Sequence, residues 1–117
     1  MKVKTAELIG PALDWAVAQR EGKAYGYRYQ LVDDCRHFVP YSPSTDWSQG
    51  GPIIERERVG VWPSNSIEGM WASRPNYEVY PERLPANYGP TPLIAAMRAF
   101  VASELGGEIE IPEELLK

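Results

Sequence analysis

Two stretches of the chain repeat apolar residues at helical spacing. Leu93, Ala96, Met97, Phe100 and Val101 stand at i, i+3, i+4, i+7 and i+8, and Leu105 extends the stripe. Thr91 precedes it with a hydroxyl suited to an N-cap. Pro92 takes the first helical position, where a missing N–H leaves nothing unsatisfied. Gly106-Gly107 end the stripe, so a helix over these residues is predicted. Ala12, Leu13, Ala16 and Val17 define an earlier helix, started by Gly10-Pro11 and stopped by Gly22 behind Arg20-Glu21. Trp15 lies off that stripe and either widens the buried face or stands at an interface.

Elsewhere the period is two or absent. Tyr25, Tyr27, Tyr29 and Leu31 alternate with Gly26, Arg28 and Gln30, which predicts a strand from Ala24 to Val32 with one aromatic face. Val3-Lys4-Thr5, the Val59-Val61-Trp62 stretch, Met70-Trp71-Ala72 and Glu108-Ile109-Glu110-Ile111 are shorter strand candidates. Pro40, Pro43, Gly50, Gly51 and a run of hydroxyls predict a loop from Phe38 to Gly51. Ile53-Ile54 then open a short apolar run. Tyr77 to Pro90 is rich in proline, and the Glu113-Glu114 tail is expected to fray. These elements predict an α+β fold: two main helices packed on a small, mostly antiparallel sheet, with long Pro/Gly-rich loops. No repeat or linker divides the 117 residues, so one domain over 1–117 is expected.

Composition narrows the function. Apolar residues make up 44% of the chain and charged residues 24%, which is ordinary for a globular domain and argues against disorder. No apolar run approaches the ~20 residues of a membrane span, and no apolar h-region follows Met1-Lys2-Val3-Lys4-Thr5. Twelve basic against sixteen acidic residues give a net charge of −4, without the basic face of a bulk nucleic-acid binder. Glu55-Arg56-Glu57-Arg58 alternates in sign and reads as a solvated strand edge or turn. With Cys35 the one cysteine and His37 the one histidine, neither an internal disulfide nor a Cys/His zinc site is available. One unpaired thiol suits a reducing cytoplasm. No metal or cofactor is expected.

Two segments carry candidate chemistry. Ser44-Thr45-Asp46-Trp47-Ser48-Gln49-Gly50-Gly51-Pro52 combines hydroxyls, a carboxylate, an amide and an indole with two glycines, whose backbone N–H groups can form an anion-binding nest. It lacks the lysine of a phosphate loop. The structural alternative is a turn-rich loop anchored by Trp47 in the core. Tyr88-Gly89-Pro90-Thr91-Pro92 leads into the C-terminal helix, whose start offers free N–H groups, thinned by Pro92. Nucleophile-elbow, zinc-helix and calcium-loop patterns are absent, which weighs against an enzyme.

Ala12-Leu13-Asp14-Trp15-Ala16-Val17-Ala18, the Ser44–Glu57 stretch and Tyr88-Gly89-Pro90-Thr91-Pro92-Leu93-Ile94-Ala95-Ala96-Met97-Arg98 resemble the NinX-like family of small phage and prophage proteins. The resemblance runs from about Val3 to Pro112 and is weakest from Pro63 to Pro85. It implies a phage accessory protein acting in the host cytoplasm and supplies no activity. If the two segments meet, Asp46, Trp47, Gln49, Gly50, Gly51, Arg56, Tyr88 and Thr91 are expected to line one ligand site. The expected occupant is a small, nucleotide-like molecule, such as a host signalling nucleotide to be sequestered. The alternative is a host or phage protein bound through an aromatic surface, since Tyr and Trp are common binding anchors. Self-association stays open.

Overall fold

The computed structural model describes residues 1–21, 29–32, 37–76 and 85–116. The chain runs β1 (Lys2–Lys4), a 3-10 turn (Thr5–Glu7), α1 (Gly10–Glu21), β2 (Tyr29–Val32), β3 (His37–Pro40), α2 (Trp47–Glu57), β4 (Gly60–Pro63), β5 (Trp71–Arg74), β6 (Asn87–Gly89), α3 (Pro92–Leu105), β7 (Glu108–Glu110) and a 3-10 turn (Glu113–Leu115). The fold is α+β, and all described strand pairs are antiparallel: β1 with β7, β2 with β3, and β4-β5-β6. Among the described residues no helix is long and apolar enough to cross a membrane.

α3 is the central helix. Thr91 caps it as expected, its Oγ1 accepting from the Ile94 N–H at 3.1 Å, with Pro92 in the first turn. The buried surface is wider than the predicted stripe, since every residue from Leu93 to Val101 is buried. The helix packs on β5 and β6 and also meets α1, α2 and β4. A helix covered on all sides has no solvent face to keep polar. α1 buries Ala12, Leu13, Ala16, Val17 and Ala18, and Trp15 widens that face, half-buried against the core. The small alanines allow close helix approach.

The two ends of the described chain meet in β1–β7, where Lys2 stands opposite Glu110 and Lys4 opposite Glu108. The N-terminal ammonium pairs with the Glu110 carboxylate, and the Ile111 N–H donates to the Met1 carbonyl at 2.9 Å. The expected fraying tail forms the final 3-10 turn, with Leu115 packed against the core.

Two expectations need correction. The segment from Phe38 to Gly51 is not one loop: β3 ends at Pro40, and a third helix, α2, begins at Trp47. Asp46 initiates that helix as its N-cap, which outweighs the poor helix propensity of Gly-Gly-Pro. Pro52 deprives the Ser48 carbonyl of its helical partner, but both residues are exposed, so solvent can satisfy it. Glu55-Arg56-Glu57 is the last turn of α2, not a strand edge. The predicted strand from Ala24 is observed from Tyr29. Residues 24–28, the stop at Gly22, Cys35 and the stretch 77–84 lie outside the described residues.

Candidate functional site

The turn before α2 is fixed from several directions. Within it, the Thr45 and Asp46 N–H groups both donate to the Ser42 carbonyl, at 3.0 and 2.8 Å. From α2, the Gln49 Oε1 accepts from the Ser42 N–H at 2.5 Å. From α1, the buried Asp14 Oδ1 accepts from the Ser44 N–H at 2.9 Å. Asp46 then caps α2, its Oδ1 accepting from the Ser48 N–H at 2.9 Å and the Ser48 hydroxyl at 2.7 Å. The backbone delivering Trp47 to the surface is therefore held by three side chains.

Trp47 is the first residue of α2 and is 55% exposed. It does not anchor the segment in the core. That role falls to Gly50, which is buried: a side-chain carbon there would stand 2.6 Å from Leu93 Cδ1 and 2.3 Å from the Pro43 carbonyl oxygen. Gly50 thus lets α2 close onto the start of α3. The contact falls on Leu93, one residue past the predicted Tyr88–Pro92 segment, so the first segment meets the first turn of α3.

The expected anion contacts do not survive. Gly50 and Gly51 lie within a helix, so their N–H groups form no nest; Gly50 N–H donates to the Asp46 carbonyl at 2.9 Å. At α3, Thr91 takes the Ile94 N–H through its hydroxyl and the Ala95 N–H through its carbonyl, while Pro92 has none to give. The caps thus take the Ser48, Gln49 and Gly50 N–H groups of α2 and the Ile94 and Ala95 N–H groups of α3.

Arg56 is not part of this surface. It lies about 13 Å from Trp47 along the axis of α2, at ~1.5 Å per residue. There it donates to both Glu21 carboxylate oxygens, at 2.9 and 2.6 Å, and to Glu57 at 2.8 Å. Nearby Arg20 pairs with Glu104 at 3.2 Å, so charges from the C-terminal ends of all three helices form a network.

Tyr88 serves through its backbone. Its carbonyl accepts from Arg98 Nη1 at 2.6 Å, while Arg98 Nε donates to the Leu8 carbonyl at 2.7 Å. Arg98 is buried, and burial pushes its pKa down, although a guanidinium keeps its charge. This residue ties β6, α3 and the approach to α1 together.

Sequence reasoning missed Asp14 and Arg98. Each is a single charge inside an otherwise apolar helical stretch, and that position was the available signal. Burial pushes the Asp14 carboxyl above its ordinary value, and Ser44 draws it partly back. The buried Ser44 hydroxyl lies beside this carboxyl but outside hydrogen-bond geometry. Tyr41 is also buried, and burial pushes its phenol upward, with the Glu21 and Asp14 charges adding to the effect. Among the described residues no cluster of three His, Cys, Asp or Glu side chains could hold a metal ion.

A search of curated proteins finds no match to the chain. The sequence model of the family described as "Bacteriophage P22, NinX" matches residues 4–104, a span that includes α1, α2 and the capped start of α3. The chain therefore belongs to the phage NinX family.

Proposed function

We propose that this NinX-family protein is a non-enzymatic phage accessory factor that binds a host or phage protein in the host cytoplasm through the surface around Trp47. One observation carries the reading: a 55% exposed tryptophan stands on a turn fixed by Asp14, Gln49 and Asp46. Tryptophan is enriched among residues that dominate binding energy, and a large ring left in water gains most when a partner covers it. A fixed turn lowers the ordering cost of association, because the anchor is already placed. Gly51 lies beside the Trp47 ring, where a side-chain carbon would stand 3.8 Å from Cε3.

The reading as a site for a nucleotide-like ligand is less well supported here. Of the N–H groups that argued for an anion, those of Gly50, Ile94 and Ala95 are used within the chain. A protein partner needs no such contact.

A photoreactive residue at exposed Thr45, two positions before Trp47, tests the proposal in phage-infected cells. A discrete cross-linked protein is expected, absent when the reactive residue replaces exposed Glu113. Its yield should fall by more than about tenfold when Trp47→Ala is added, the scale of a lost binding anchor. Equal products from both positions, or a yield unchanged by Trp47→Ala, would overturn the reading.

A further inference from the structure

The three-stranded sheet turns only one of its faces to α3. Val61 of β4 packs on the core, and Gly89 of β6 sits so close that a side-chain carbon there would stand 2.7 Å from the Ala95 nitrogen. Side chains alternate along a strand, so Gly60 and Trp62 belong to the opposite, outer face. Arg74 stands across from Gly60, and Ala72 stands between Trp62 and Tyr88 in the β4-β5-β6 register. Directly opposed residues project to the same side, so the outer face carries Trp62, Tyr88 and Arg74.

Trp62 is held against this face and is still 39% exposed. Its ring turns back over Gly60, where a side-chain carbon would stand 3.5 Å from Cζ3. Half-buried Tyr88 lies two strand spacings away, roughly 10 Å. Two cations border the Trp62 ring. Arg74 is exposed directly across from Gly60, and Arg58 is exposed two residues before it. Among the described residues neither forms an ion pair, whereas Arg20 pairs with Glu104 and Arg56 with Glu21. Arg58 also holds the left-handed conformation, with φ of 54°, so its side chain is present there at a cost to the fold.

We infer that this outer face binds single-stranded nucleic acid, with bases stacking on Trp62 and Tyr88 and phosphates meeting Arg58 and Arg74. A single strand brings flat apolar rings and negative charge together at every residue, the combination that exposed aromatics beside unpaired cations complement. A duplex keeps its bases stacked inside and offers these rings nothing. The net charge of −4 supplies no long-range attraction, so stacking carries the affinity and only the nearest phosphates add to it. Arg58 lies about 16 Å from Trp47 along α2, so this surface is separate from the proposed protein site.

Fluorescence anisotropy of the full chain with a labelled oligothymidylate of about twelve nucleotides tests the site. Saturable binding is expected, with a slope of about −1.4 in log K against log salt, the value for two phosphates. A duplex of the same length should bind several-fold more weakly, and neither dTMP nor polyphosphate should displace the strand at equal phosphate concentration. Trp62→Ala should weaken binding roughly 5–150-fold, the worth of one stacked base, and Trp62→Phe should recover most of that loss. Trp62→Thr, a better strand former, takes its place if the alanine variant fails to fold. Arg58→Gln and Arg74→Gln should each flatten the salt slope by about 0.7, while Lys4→Gln, in the β1–β7 pair, should leave it unchanged. Absence of saturable binding at low salt, equal binding of strand and duplex, or affinity unchanged in a folded Trp62 variant lacking the ring would overturn the site. Displacement by polyphosphate would reduce it to charge alone, and displacement by dTMP would assign it to a free nucleotide; either overturns the inference. None of these readouts depends on Trp47 or on a protein partner.

Discussion

Gly50 packs so closely on Leu93 that a side-chain carbon at position 50 would come within 2.6 Å of Leu93 Cδ1. The Pro43 carbonyl oxygen, at 2.3 Å from that position, is backbone and cannot swing aside. Gly50→Ala should therefore destabilise the protein by about 1–3 kcal/mol through overpacking, despite alanine's better helix propensity. Gly51→Ala meets only ordinary contact with the Trp47 ring and should stabilise by up to about 1 kcal/mol. Urea denaturation of the two neighbours should thus give opposite signs. Equal signs would show that α2 does not seat on α3 in this way.

The two large aromatic side chains Phe100 and Trp47 should also part company. Phe100 is 1% exposed, and Phe100→Ala should cost about 3–5 kcal/mol. Trp47→Ala should change stability by no more than about 0.5 kcal/mol, as for an exposed surface position. Thermal or urea unfolding of both variants measures this. A large loss from Trp47→Ala would assign the indole to the fold.

Asp14 should make stability depend on pH in an unusual direction for a carboxylate. Its folded pKa is raised, burial being the larger cause. The contribution is fully present below the unfolded value and is lost as pH rises through the folded one. Asparagine keeps an oxygen for the Ser44 N–H and has no charge to bury. Between about pH 4 and about pH 7, wild type should lose stability relative to Asp14→Asn. Parallel stability profiles would contradict this, as would a loss that ran the other way.

Arg58 closes α2 in the left-handed conformation, with φ of 54°. A residue with a Cβ costs roughly 1–2 kcal/mol there, a strain that glycine escapes. Arg58→Gly should raise stability by about 1 kcal/mol in chemical denaturation, reduced by glycine's greater freedom in the unfolded chain. A clear loss would mean that the Arg58 side chain contributes more than its backbone strain removes.

α3 was legible because its cap, first-turn proline and apolar stripe are all local. β1 and β7 were each legible, but their pairing joins Lys2 to Glu110, and no local rule carries that distance. α2 was hidden by Gly-Gly-Pro, which reads as a turn when propensity alone is counted. Asp46 followed by Gln49 is a capping pattern that pointed the other way. The decisive contact, Gly50 on Leu93, is tertiary. The same holds for the candidate site. Thr91 is legible as a cap from its place before Pro92, and Asp46, Trp47, Gln49 and Tyr88 stand out by type, while the fold decides that Tyr88 offers its carbonyl to Arg98 and that Arg56 belongs to the Glu21 ion pair.

The most direct measurement is calorimetric titration of the cross-linked partner, once purified, into wild-type protein and the Trp47→Ala variant. The account predicts that the variant retains wild-type stability while its affinity falls by more than about tenfold, equivalent to over ~1.4 kcal/mol. Equal affinities for the two proteins would contradict it.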